Sequence, residues 1–174
     1  MINTHLKDFI SEYSMEVIPK TVAKTDSFGD ILPKSTRVYL AHLKGEGIEQ
    51  MVAAAKRLHH EGFTVMPHIP ARVIKNQAML SDWLSMYQNE AGVDEALLLA
   101  GGSHEPIGDY GSSIQLIESD LFDKAGFKRL HIAGHPEGNK DIDPDGGIKN
   151  VSEALSWKQE FLKRTDAKMA IATQ

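Results

Sequence analysis

Short apolar runs recur about every 30 residues along this chain, each breaking off at glycine or proline, with stretches between them that carry apolar residues three and four positions apart. That alternation leaves few folds open. A strand can pair with the next parallel one only after the chain has travelled back along the sheet, so parallel strands joined by helical crossovers are the expected outcome. Strands are expected at 13–20, 37–43, 63–70, 95–102, from Leu130 to Ala133, and at 168–174. Helices are expected at 4–12, 47–61, 76–91, 112–124 and 150–164, with a short helix and loop across 21–35. The clearest is 47–61, where Ile48, Met51, Val52, Ala55 and Leu58 share one face and Gly62 ends the run. Six strands in this order predict an α/β fold with about six β/α units of a (β/α)8 TIM barrel, which closes only on eight. Residues 1–174 therefore read as a single barrel domain, incomplete at its C-terminus.

Chemistry in such a fold sits where strands run out into loops. The stretch Leu130-His131-Ile132-Ala133-Gly134-His135-Pro136-Glu137-Gly138-Asn139 is the best example, an apolar strand emptying into a polar turn that carries His135, Glu137 and Asn139. An ordinary strand-to-helix connection is the plain alternative. Glu16 interrupts the apolar neighbours of the first strand, where a carboxyl is costly unless it is hydrogen-bonded or used. His68 stands where the third strand gives way to loop, and Gly101-Gly102 ends the most apolar strand, inviting close backbone approach by a flat or phosphorylated ligand. A tight turn is the competing account of the two glycines. Residues 139–147 read as a mobile polar loop; their Asp141, Asp143 and Asp145 have the spacing of a calcium loop, but Pro144 intervenes and the closing glutamate is missing, so no metal is assigned.

Composition removes several function classes. With no cysteine, a disulfide framework, a thiolate metal site and a cysteine nucleophile are excluded. A net charge of −5 without a Lys/Arg run argues against nucleic acid or an anionic membrane as partner. No apolar stretch nears the roughly 18 residues that span a bilayer, and the first residues lack an apolar signal core, so the expected location is the cytoplasm. A homo-oligomer is compatible with all of this.

Taken together, Ser14-Met15-Glu16-Val17-Ile18-Pro19-Lys20, Met66-Pro67-His68-Ile69, Leu97-Leu98-Leu99-Ala100-Gly101-Gly102, Gly134-His135-Pro136-Glu137-Gly138 and Ala172-Thr173-Gln174 resemble, in order and spacing, the methylenetetrahydrofolate reductase family. That resemblance implies a flavin-containing (β/α)8 barrel, reducing 5,10-methylenetetrahydrofolate to 5-methyltetrahydrofolate with FAD and with NADH or NADPH as electron donor, in one-carbon and methionine metabolism. It implies that Glu16 is the proton donor or activator of the folate's bridging carbon and that Gln174 hydrogen-bonds the pteridine. On the same ground His68, Ala100, Gly101, Gly102, Tyr110, Ala133 and His135 fall at flavin positions, and Lys158 at a flavin-phosphate lysine.

The chain also departs from the family. Ala100-Gly101-Gly102 stands where the family has Arg-Gly-Asp, so the aspartate near the flavin pyrimidine is replaced by Gly102; Ala41-His42 replaces Thr-Tyr, and Asn139 replaces a histidine. Loss of the acidic group changes the flavin's potential and the charge facing a cationic intermediate, unless His104 or Glu105 compensates. The proposed chemistry is sound on these residues: a carboxyl in a partly desolvated barrel mouth holds its proton and can give it up as the bridging ring opens. Two further readings stay open: a flavin-independent reductase, and a non-catalytic barrel that binds folate or a one-carbon unit.

Overall fold

The computed structural model describes residues 13–165 and 168–172; the expected helix at 4–12 and the candidate Gln174 lie outside them. Six strands, β1 (Ser14–Val17), β2 (Arg37–Leu40), β3 (Thr64–Pro70), β4 (Glu95–Leu99), β5 (Arg129–Ala133) and β6 (Lys168–Ala172), form one sheet in sequential order, every neighbouring pair parallel. The crossovers carry α1 (Pro19–Lys24), α2 (Ile48–His60), α3 (Gln77–Ala91), α4 (Ser113–Glu118), α5 (Leu121–Lys124) and α6 (Lys149–Phe161). Each connection steps one strand in the same direction, and the near-universal right-handed crossover then gathers all the helices on one face of the sheet.

Alternation along the strands sorts the residues accordingly. Val17, Val38, Leu40, Val65, Ile69, Ala96, Leu98, Leu130 and Ile132 belong to a single buried core with Met51, Leu58, Leu80, Leu84 and Tyr87 of α2 and α3. The residues between them, Glu16, Tyr39, His68, Leu97 and His131, therefore face the other side. That side is concave. The Tyr39 hydroxyl of β2 lies 2.9 Å from His131 Nδ1 of β5 although β3 and β4 intervene. In a flat sheet three strand spacings of about 4.8 Å would hold them about 14 Å apart. The sheet thus curls into a half-barrel with polar side chains meeting inside it.

Local signals explain where the elements stop. Asn76 caps α3 through Oδ1, which accepts from the Met79 amide at 3.0 Å, and Gly92 ends it in the left-handed conformation at φ 68°. Two expectations are corrected. The first strand does not reach residue 20, because Pro19 opens α1, where its missing N–H costs nothing and its fixed φ suits a first turn. The helix expected over 112–124 breaks into α4 and α5 at Asp120, which adopts φ 57°. The loop at 139–147 is built from successive turns: the amides of Ile142 and Asp143 donate to the Asn139 carbonyl, and that of Gly146 to the Asp143 carbonyl. Buried Asp143 in turn accepts from the amides of Asn150 and Val151, at 2.8 and 3.1 Å, and so caps the N-terminus of α6. Among the described residues no helix is long and apolar enough to cross a membrane.

Candidate functional site

Parallel strands bring their C-terminal ends to one edge, so the strand-end residues singled out from the sequence share that rim. Two of them touch. Glu16 Oε2 lies 3.2 Å from His68 Nε2, across β2, with the His68 side chain 12% and the Glu16 side chain 45% exposed. The pair is not a hydrogen bond: His68 Nε2 is buried and has no correctly angled partner. Burial, with a smaller push from the neighbouring His42, lowers the His68 imidazole to a pKa of about 4, so the ring is neutral near pH 7 and the contact is no salt bridge. Glu16 keeps nearly half of its side-chain surface in water, so its carboxyl is only partly desolvated at this rim.

His42, just beyond β2, completes the group. Its Nε2 donates to the Glu46 carbonyl at 3.1 Å, its ring packs against Trp83 at 5.4 Å between centroids, and its Nδ1 is buried without a partner. Two neighbouring imidazoles thus each keep an unsatisfied buried nitrogen, that of His68 against the Glu16 carboxyl, an arrangement that asks for a polar partner. No three His, Asp or Glu side chains among the described residues are gathered as metal ligands.

Below the rim a second polar group fills the concavity. Glu95 Oε2 lies 3.1 Å from His131 Nε2, and His131 Nδ1 lies 2.9 Å from the Tyr39 hydroxyl. The Tyr39 ring also stands edge-on to His68, with centroids 6.4 Å apart, so it joins the two groups. Burial raises the Tyr39 phenol above its ordinary pKa, opposed by Arg37 and Arg129 and reinforced by Glu95. Tyr39, Glu95 and His131 were not singled out from the sequence, and His42 only as a departure from the family's pattern. Their signal was available: Glu95 and His131 are polar residues at alternate positions of otherwise apolar strands.

The remaining candidates are spread along the rim. Ala100 accepts from the Arg72 amide at 2.9 Å. Gly101 has φ 94°, and a Cβ there would come within 2.9 Å of Pro70 Cβ, whereas a Cβ on Gly102 would meet nothing within 4 Å. The loop that follows is pinned to the turn after β3: Arg72 Nη1 donates to the Ser103 carbonyl at 2.9 Å and Nε to the Gly111 carbonyl at 3.1 Å. The amides of Ile107 and Asp109 donate to the carbonyls of Arg72 and Lys75. Tyr110 is buried in the core, its phenol raised by that burial and by Asp109. Ala133 ends β5 opposite Ala172, and His135 beyond it adopts φ 44° with Nδ1 3.5 Å from Asn139 Nδ2. His104 and Glu105 are almost fully exposed. Lys158 is buried on α6, and that burial lowers its ammonium.

Against a flavin these residues divide. The open space beside Gly102 fits the approach of a flat ring, whereas Gly101 is packed against Pro70, and neutral His68 stands at the neighbouring strand end. The buried setting of Lys158 is not that of a lysine held out to a phosphate. No protein-family model matches the chain.

Proposed function

We propose that the chain is a methylenetetrahydrofolate reductase-like barrel, its half-barrel sheet belonging to a (β/α)8 barrel, that reduces 5,10-methylenetetrahydrofolate to 5-methyltetrahydrofolate with FAD and NADH or NADPH. The contact of Glu16 with His68 carries the reading, since it joins the first and third strand ends at the rim where the family resemblance puts proton donation and flavin. Gly101, Gly102, Ala133 and His135 would lie along a flavin ring at the same edge. When bound there, flavin supplies the hydride. Glu16, reaching water on one side and His68 on the other, hydrogen-bonds the bridging carbon–nitrogen unit and passes it a proton as the ring opens. Neutral His68 packs against that carboxyl without neutralising it, which keeps negative charge available to a cationic one-carbon intermediate. Gln174 would complete the pteridine contact through its amide, which offers both a donor and an acceptor.

Gly102 favours a second reading. With no aspartate beside the pyrimidine, the same pocket suits a flavin-independent reductase, or a barrel that binds folate without turnover. The visible spectrum of the purified protein, before and after adding FAD, separates these when combined with assays of NAD(P)H oxidation and of methyltetrahydrofolate formation. A yellow protein active in both assays is expected. A colourless protein that takes up no FAD yet oxidises NAD(P)H with the folate would move the assignment to the flavin-independent form. Folate binding without turnover would leave only the carrier role, and neither binding nor turnover would end the reading.

A further inference from the structure

The hydroxyl, imidazole and carboxylate inside the half-barrel are set in series: Tyr39 Oη to His131 Nδ1 at 2.9 Å, then His131 Nε2 to Glu95 Oε2 at 3.1 Å. The carboxylate can only accept, so it fixes the neutral His131 ring with its proton on Nε2. Nδ1 is then bare and accepts the Tyr39 proton. Tyr39 is partly exposed while His131 is 3% exposed, so Tyr39 rather than the imidazole is the better placed of the two to meet a ligand in the concavity. A proton-accepting base next to a hydroxyl, oriented by a third group, is the arrangement used to move protons to and from a ligand.

We infer that Tyr39 exchanges a proton with a nitrogen or oxygen of the bound ligand, and that His131 and Glu95 are the pair that position and recharge it. With His131 neutral, Tyr39 presents an acceptor oxygen. When a ligand N–H or O–H ionises, its bond to hydrogen breaks and an O–H forms on Tyr39, while the former Tyr39 proton moves to His131 Nδ1. The ligand is left anionic and the imidazolium is held against Glu95. In reverse the imidazolium returns a proton to Tyr39, and Tyr39 delivers one to a basic nitrogen. The charged and titratable groups facing this chain are Glu16 on β1, Arg37 on β2, His68 on β3, Arg129 on β5 and Lys168, which pairs with Arg129 in the register of β6. Arg37 Nε is buried without a hydrogen-bond partner, and Arg129 Nε lies 3.9 Å from Glu95 Oε1. Arg37 and Arg129 therefore flank the hydroxyl through which the proton passes, where positive charge favours the anion left on the ligand. At its far end Glu95 shares the lining of a cavity of about 710 Å³ with Lys128, Arg129 and Lys168 at the N-terminal ends of the strands, a route by which the chain can exchange protons with water.

The identity of the proton's recipient rests on the folate reading; the chain itself does not. Long-range 15N–1H correlation of His131 in the full protein is expected to show the Nε2–H tautomer, and an Nδ1–H tautomer would overturn the inference, since Tyr39 could not then hand over its proton. Tyr39→Phe is expected to slow the folate half-reaction at least tenfold and to remove one limb of its pH profile, with a smaller effect on NAD(P)H oxidation by a quinone. Glu95→Gln is expected to displace that limb with a smaller loss of rate. Wild-type rate and profile in Tyr39→Phe would refute the relay. If the protein performs neither half-reaction the folate reading fails, and the tautomer alone decides the relay.

Discussion

The Tyr39 hydroxyl and the His131 ring, 92 positions apart in sequence, meet at 2.9 Å with their ring planes at 85°. This one contact spans the concave face of the half-barrel and divides the polar interior into a rim group, with Glu16, His42 and His68, and a deeper group ending at Glu95. The two groups make different demands on pH and on substitution.

His68 makes stability fall in acid. Its folded pKa of about 4 lies below the ordinary histidine value of 6.5. Between those values the unfolded chain binds the proton that the folded chain refuses, so the contribution is fully present above about pH 6.5 and is lost as pH falls toward 4. The loss amounts to at most about 3 kcal/mol. Urea midpoints at pH 7 and 4.5 should converge in His68→Gln relative to wild type; an unchanged difference would show that another group sets the acid limb.

Two neighbouring glycines should respond in opposite ways. A Cβ on Gly108 would sit 2.0 Å from the Lys75 carbonyl oxygen, so Gly108→Ala must separate the loop after β4 from the turn after β3 and should cost about 2–4 kcal/mol. Gly102 faces open space, and Gly102→Asp should change stability by less than about 0.5 kcal/mol. On the folate reading the same substitution restores the family's acid and should tighten FAD binding, which flavin fluorescence titration would measure.

Asp143 serves α6 from outside the helix. Removing both acceptors in Asp143→Ala leaves the amides of Asn150 and Val151 without partners and should cost about 1–2 kcal/mol. Thermal unfolding followed by circular dichroism would register this. A loss confined to the amides of residues 149–152 in hydrogen exchange would identify the cap as the cause.

Arg72 holds two carbonyls, those of Ser103 and Gly111. Arg72→Lys keeps the charge but not the fork, and it should lower hydrogen-exchange protection across 103–111 while costing about 1–3 kcal/mol. Equal protection in the variant would mean that the backbone bonds of Ile107 and Asp109 suffice.

The sheet was legible because apolar periodicity and punctuation act locally. Met51, Val52, Ala55 and Leu58 lie buried on one face of α2, and Asn76 and Gly92 bound α3 as their conformational preferences dictate. Pro19 misled only because a β-like run and a helix start overlap there. The rim was legible in part, as Glu16, a carboxyl interrupting an apolar strand, and His68, at a strand end, were singled out and do meet. The deeper group was not, because a hydrogen bond between β2 and β5 depends on sheet curvature, which no run of residues encodes by itself. Likewise Asp143 looked like part of a solvated acidic loop, and its role depends on the chain folding back onto α6.

The stitching of the segment after β3 to the segment after β4 also bears on engineering. Because Arg72 and Lys75 supply both the donors and the acceptors that shape residues 100–111, the two connections form one exchangeable cassette. Transplanting either alone into another parallel sheet would strand its partners, whereas moving the pair together carries the whole contour of that part of the rim.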